Sequence, residues 1–281
     1  MKVITKIAEM QKEADRLRMQ GKKIGFVPTM GYLHEGHLSL VREANKRSDI
    51  VVMSIFVNPT QFDPTEDFED YPRDFNRDVK LAQSAGCDII FYPDANEVYP
   101  EPYLTYVEVE KITKVLCGVS RQTHFRGVTT IVAELFNIVK PHLAVFGQKD
   151  AQQAIVIKRM VKDLNFDIEI IVAPIVREQD GLAMSSRNTY LSKGQRAQAG
   201  VLYQSLMAAK KMIEAGERNA TIIKNRMREM IEHQPDAVID YIEIVDTTNL
   251  ESQSELSGEI LIALAVKVGS PRLIDNVIVR I

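Results

Sequence analysis

The sequence predicts an α/β protein: a doubly wound parallel sheet of Rossmann-like type, followed by a smaller C-terminal α+β domain. Three observations lead there. Through residue 176, short β-branched runs alternate with stretches of helical periodicity, which is the pattern of a sheet built from right-handed crossovers. One run, DIVVMSIFVN (49–58), is almost continuously apolar, as a strand covered on both faces must be. After residue 177 the alternation stops, and two helical stretches precede three strand-like runs in succession. These observations define domains at 1–176 and 177–281.

Each element has its own local reason. Residues 3–19 space their apolar side chains as an amphipathic helix. KKIGFVP (22–28) reads as a short strand broken by Pro28 and Gly31, and helical spacing resumes at His37 through Leu38, Val41 and Ala44. The strand 49–58 is followed by a polar, proline-bearing loop, a helix near 73–85 stopped by Gly86, and the strand CDIIFYP (87–93). Helix 127–140, strand 142–147, helix 150–165 and strand 167–176 continue the alternation. The tail reads as helices at 192–216 and 219–233, then strands at 237–246, 259–268 and 272–281.

The bulk composition narrows the function. The chain has 281 residues, a net charge of −3 and 26% charged residues, so no broadly basic surface is available for nucleic acid. No apolar run is long enough to span a membrane, and the first twenty residues lack the uninterrupted apolar segment of a signal peptide. The two cysteines, Cys87 and Cys117, have no Cys/His cluster around them, which fits reduced thiols in a cytoplasmic protein.

Chemistry concentrates in HEGH (34–37), where a strand hands over to a helix and two of the five histidines fall within four positions. A zinc protease would need histidines four apart on one helix face with glutamate between them. Here the spacing is three, Gly36 weakens a helix through the motif, and no third ligand is near. The ends of buried strands in open α/β sheets are where ligands bind, and a helix starting there offers backbone N–H groups and a positive dipole end. Two imidazoles at that place point to an anion site, most simply for phosphate. Neither a P-loop nor a dinucleotide-binding glycine fingerprint is present.

PTMGYLHEGH resembles the first signature of the nucleotidyltransferase superfamily, and AMSSRN (183–188) stands where its companion signature follows a late strand. With FVNPTQF (56–62), YPR (71–73), THFRGV (123–128), FGQKDAQQ (146–153) and VREQDGLAMSSRN (176–188), the set is similar, in order, to the pantothenate synthetase family. That resemblance implies a reaction in two steps. Pantoate and ATP give pantoyl adenylate and pyrophosphate; β-alanine then takes the acyl group, releasing AMP.

The resemblance assigns His34, His37 and Lys149 to catalysis, with His37 as proton donor to the leaving group. It gives Met30, Gly31, Gly147, Gln148, Asp150, Val176, Met184, Ser185, Ser186 and Arg187, with the catalytic three, to ATP. In that set Gly147 and Val176 supply main-chain contacts, and Met30 and Met184 wall the nucleotide. Asp150 could equally cap the helix that follows it. Gln148 departs from the Glu common in the family. Gln61 and Gln153 are expected to read pantoate, since an amide offers both a donor and an acceptor to a hydroxyl. Asn58 and Gln61 are expected to orient β-alanine, with Tyr71, Arg121 and His124 lining the pocket. Magnesium should arrive on the ATP phosphates with few protein ligands, and a homodimer through the first domain is implied. Two rival readings are a cytidylyltransferase or synthetase fragment, disfavoured by neutral amides in place of an arginine cluster, and a nucleotide sensor without catalysis, disfavoured by the intact phosphate-facing residues.

Overall fold

The computed structural model describes residues 1–63 and 66–281. Its contacts group the chain into two units. The first comprises residues 1–110, 121–148 and 156–174; the second comprises 111–120, 149–155 and 175–281.

The first unit is built on six parallel strands in the order β1-β4-β3-β2-β5-β6. They are β1 (Lys2–Ile4), β2 (Ile24–Thr29), β3 (Ile50–Ile55), β4 (Ile89–Phe91), β5 (Leu143–Gly147) and β6 (Glu169–Ala173). Helices α1 (Ile7–Met19), α2 (Glu35–Asn45), α3 (Phe75–Ser84), α4 (Ala95–Val98) and α6 (His124–Val139) connect them. Alternate residues of one strand serve opposite faces, as the pleat requires. Val27, Val51 and Met53 join Leu38, Val41 and Ala44 of α2 in one apolar layer. Phe26 meets Phe136 of α6 edge-on at 6.4 Å on the other. The doubly wound α/β sheet is therefore present, as the alternation of elements implied.

Two details differ from expectation. The amphipathic stretch 3–19 does not begin as helix: residues 2–4 pair in parallel with Ile89–Phe91 as an edge strand. Pro28 does not end β2, which continues to Thr29 and keeps its register on β3, with Pro28 opposite Ser54. Pairing of β2 to β5 stops at Phe26, however. A proline has no N–H to give a ladder, and it stands where β2 and β5 part. Strand order reverses between these same two strands, so the crevice at the switch point opens at their C-terminal ends.

The second unit carries a three-stranded antiparallel sheet, β7 (Ala237–Asp246), β8 (Glu259–Val268) and β9 (Arg272–Arg280), with β8 central and almost wholly buried. Helices α8 (Lys193–Ala199), α9 (Val201–Glu214) and α10 (Ala220–Glu232) cover it, their apolar faces sharing one core with Ile260, Ile262, Leu264 and Val266. The single helix expected over 192–216 is two helices meeting at Gly200, which ends one and opens the other. The short α5 (Cys117–Ser120) and the start of α7 (Ala151–Asp163) also belong here. Gln152 explains why. Its buried amide accepts from the Cys117 N–H and donates to the Ile112 and Val115 carbonyls, stapling two segments that are distant in sequence. Among the described residues no helix is long and apolar enough to cross a membrane.

Candidate active site

In the first unit the chain leaves β2 through Met30, Gly31 and Tyr32. Gly31 has φ +83° and Tyr32 φ +48°, two consecutive left-handed residues. A Cβ at Gly31 would meet Ile55 at 2.9 Å and the Asp78 carboxylate at 3.0 Å, so glycine is required twice over, by conformation and by space. The buried Asp78 of α3 accepts from the N–H groups of Tyr32 and Leu33, each at 2.7 Å. Burial raises its carboxyl above the usual range, with the two backbone donors pulling the other way. Asp78 thus fixes the turn that delivers the histidines. Its sequence signal was an aspartate one helical turn from Ala82, on the buried side of an amphipathic helix.

His34 is the N-cap of α2, and the two imidazoles form a reciprocal cap. Nδ1 of His34 accepts from the Gly36 N–H at 3.1 Å, and Nδ1 of His37 accepts from the His34 N–H at 3.3 Å. Their ring centroids lie 4.0 Å apart. Because each Nδ1 is an acceptor, each neutral ring carries its proton on Nε2. The free backbone N–H groups expected at this helix start are thus partly consumed by the two rings. Gly36, read as weakening a helix, lies inside the first turn of one.

β5 ends in the same crevice at Gly147, where a Cβ would meet nothing nearer than Leu40 at 4.0 Å. Gln148 follows, opening a 3-10 turn with Lys149 and Asp150 that runs directly into α7.

Asn58 and Gln61 lie in a turn after β3. Asn58 is fully buried, and both ends of its amide are engaged. Nδ2 donates to Gln61 Oε1 at 2.9 Å and to the Gly127 carbonyl at 3.1 Å, while Oδ1 accepts from the Tyr99 hydroxyl at 2.8 Å and the Thr60 hydroxyl at 3.0 Å. Asn58 is therefore committed to holding Gln61, rather than to reaching for a ligand. The Gln61 carbonyl takes Arg121 at 3.1 Å and His124 at 2.9 Å, and Glu66 holds Arg121 through 2.5 and 2.8 Å contacts. Four residues thus orient one buried glutamine, whose Nε2 takes no partner among the described residues. Tyr71 is buried against Phe62. Gly127 lets the turn touch α6, since a Cβ there would lie 2.2 Å from the Thr60 carbonyl.

In the second unit Lys149 and Asp150 stand side by side, Nζ to Oδ1 3.6 Å, with the lysine the more buried. Gln153 is half-buried, unlike its neighbour Gln152, and its amide takes no partner among the described residues. Residues 176–184 form a narrow hairpin: the Met184 N–H donates to the Val176 carbonyl at 3.0 Å, and Gly181 turns the chain at φ +93°. Ser185 then caps the 3-10 turn Ser186–Tyr190 by accepting from the Arg187 N–H at 3.3 Å, and Ser186 is buried. Asn188 ties this turn to Glu178 at 2.8 Å and to the Ala183 carbonyl at 3.1 Å. Arg196 clamps the hairpin through Glu178 and Asp180, each at 2.5 Å, and its bonds hold the Asp180 carboxyl below the usual range. Met30 and Met184 are both half-buried.

Each half carries groups suited to a polyphosphate: in one, paired imidazole donors beside a helix start; in the other, a lysine, two serines and an arginine on braced turns. Comparison with known proteins places the chain in a family. The chain is 59% identical over 280 residues to the pantothenate synthetase of Caldicellulosiruptor bescii, covering 100% of this chain and 99% of that protein. It is 58% identical over 281 residues to that of Acetivibrio thermocellus, covering 100% of both. The crystal structure of pantothenate synthetase from Thermus thermophilus superimposes with a TM-score of 0.94 at 43% identity, over 99% of each chain. That of pantoate-beta-alanine ligase from Francisella tularensis, complexed with βγ ATP and β-alanine, gives 0.82 at 34% identity over 99% and 97%. The model of the pantoate-beta-alanine ligase family matches residues 2–278, and the chain belongs to that family.

Proposed function

We propose that this chain condenses pantoate with β-alanine at the expense of ATP, through pantoyl adenylate. The observation that carries the proposal is the reciprocal imidazole cap: it fixes both rings at the start of α2, the helix that follows β2 at the switch point, with the proton of each neutral ring on Nε2. A pantoate carboxylate oxygen attacks the α-phosphorus, the bond to the bridging oxygen breaks, and pyrophosphate leaves with added negative charge. Donors fixed in advance at those oxygens stabilise that charge without reorganising. His34 and His37 serve this role, His37 giving its Nε2 proton to the leaving group. Lys149, Ser185, Ser186 and Arg187 supply further cationic and hydroxyl contacts to the phosphates. Gly31, Gly147 and Val176 offer main chain to the nucleotide, and Met30 and Met184 offer apolar walls.

Gln61 and Gln153 bind pantoate. Gln61 is favoured because its side chain is buried and Asn58 holds its Oε1, which leaves Nε2 to a ligand, and Gln153 by its unengaged amide. In the second step the β-alanine amine forms a bond to the acyl carbon, the acyl–phosphate bond breaks, and AMP leaves with the electron pair. Asn58 contributes to β-alanine binding through Gln61. The two ligands of the Francisella structure, a nucleotide and β-alanine, are two of the three substrates this reaction needs.

Magnesium fits this reading as a partner of ATP. No cluster of three metal-ligating side chains occurs among the described residues, and Mg²⁺ held mainly by phosphates and water needs at most one carboxylate. Asp150, half-exposed beside Lys149, is suited to be that one. When bound, the ion neutralises phosphate charge. A homodimer through the first unit is also part of the proposal, supported by exposed Leu104 and Tyr106. A cytoplasmic location is supported by two unpaired thiols, Cys87 and Cys117.

The test is ATP–pyrophosphate exchange that depends on pantoate and proceeds without β-alanine. His37→Ala should lower it roughly 10²–10³-fold. Exchange at the wild-type rate in that variant, or exchange without pantoate, would refute the assignment.

A further inference from the structure

Two consecutive polar residues, Asp275 and Asn276, sit in the otherwise apolar strand β9, and both are nearly inaccessible to solvent, at 2% and 3% exposure. They face Leu264 and Ala263 of β8. Polar groups at such positions cost free energy to desolvate, and a buried ion pair is often no more stabilising than apolar residues of the same shape. Stability therefore gives a weak reason for them. Their partners give a better one.

The Asn276 side-chain Nδ2 donates to the main-chain carbonyl of Lys149 at 3.0 Å. Asp275 Oδ1 accepts from the Asn276 N–H at 2.7 Å, which fixes the two residues relative to each other. The Asp275 carboxylate also receives both arms of Arg177, at 2.7 and 3.0 Å. Arg177 stacks over the Tyr203 ring at 4.5 Å and donates to the Gly181 carbonyl at 2.9 Å, within the hairpin whose far strand continues into Met184, Ser185 and Ser186. A continuous set of hydrogen bonds thus runs from Lys149 through Asn276, Asp275 and Arg177 to Gly181, in the hairpin that leads into the serine turn.

We propose that Asn276, with the Asp275–Arg177 pair, positions Lys149 and the 184–187 turn for adenylate formation, so that strand β9 sets the geometry of both phosphate-facing groups of its unit. None of the three is a catalytic residue. Asn276 fixes the peptide from which the Lys149 side chain departs, and Arg177 fixes the hairpin. The inference rests on the ligase reading above.

The experiment measures pantoate-dependent ATP–pyrophosphate exchange on the full chain, well below its unfolding temperature, in wild type, Asn276→Ala, Asn276→Asp, Lys149→Ala and the double variant Lys149→Ala with Asn276→Ala. Losing one buried hydrogen bond at the lysine should lower kcat about tenfold, with KM for pantoate unchanged. Asn276→Asp keeps the shape but loses the donor, so it should fall at least as far as Asn276→Ala. In the Lys149→Ala background, Asn276→Ala should change the rate by less than about twofold, because the group it positions is gone. Should the position 276 variants fail to fold, Arg177→Lys keeps the charge but loses the two-armed geometry, and should also lower kcat without moving KM for pantoate. The proposal is overturned if Asn276→Asp matches wild type, if Asn276→Ala is silent, if the two losses multiply in the double variant, or if Arg177→Lys is silent. Wild-type exchange that ignores pantoate would instead refute the ligase reading.

Discussion

The two units hold the residues proposed to face phosphate in opposite ways. In the first, the machinery is local: His34 and His37 cap their own helix through bonds that span two or three residues, and one distant carboxylate, Asp78, steadies the turn before them. In the second, Lys149 and the serine turn lie over thirty positions apart in sequence and are brought into register by β9, which is more distant still. A local site survives as long as its helix start does. A site assembled from afar depends on buried polar contacts, which are strong while complete and costly when one member is lost.

The largest contrast should appear when each unit loses its buried carboxylate. Asp275→Ala leaves the Arg177 guanidinium without its partner in a buried setting, at a cost of about 3–5 kcal/mol. Asp78→Ala leaves two N–H groups unpaired in a loop that water reaches at half-buried Tyr32, at a cost of about 2 kcal/mol. Urea denaturation of the two variants makes the comparison, and equal costs would break it. Adding Arg177→Met to Asp275→Ala should recover much of the loss, since no charge is then stranded.

This asymmetry also explains what could be read from the sequence. Most of the sheet was legible because its longer strands advertise themselves in five or six consecutive residues, as in IVVMSI, while the three-residue edge strand β1 does not. HEGH could be read as a candidate anion site, and its place at a helix start was legible, because all of its parts lie within four positions. The imidazole tautomers were not, since they depend on which nitrogen meets a backbone N–H. Pro28 carried a true signal, an interruption of pairing, but the sequence could not say that only the β5 side of β2 would part. Asp275 and Asn276 were visible as polar residues in an apolar strand, yet nothing local names Arg177 or Lys149 as their partners. Asn58 could be read as a candidate pocket residue, but the sequence did not show that its amide is already committed to internal bonds.

A smaller effect separates capping from chemistry in the first unit. Serine is a good N-cap, so His34→Ser should keep α2 within a few tenths of a kcal/mol, while His34→Ala should lose about 1 kcal/mol. Both remove the Nε2–H donor, so both should lose adenylate formation to a similar degree. Thermal unfolding and pyrophosphate exchange, measured on the same two variants, would contradict the dual role if activity followed stability.

The smallest effect is a difference of sign with pH. Asp78 titrates above the ordinary aspartate value of about 3.9 because burial disfavours its charge. As pH rises from that value toward the folded one, the unfolded chain has already released the proton that the folded chain keeps. The folded state then binds more protons, and stability falls with rising pH over this window. Asp180 behaves in the opposite way. Arg196 holds its carboxyl below the ordinary value, so its contribution is complete above about 3.9 and is lost as pH falls through the lower, folded value. Asp180 is largely open to solvent, so its share is small. Subtracting the stability of Asp78→Asn from that of wild type between pH 3 and pH 6 should give a difference that declines with pH. The same subtraction with Asp180→Asn should give one that rises. Two slopes of the same sign would mean that burial does not dominate at Asp78, and that the two units hold their carboxylates by the same means after all.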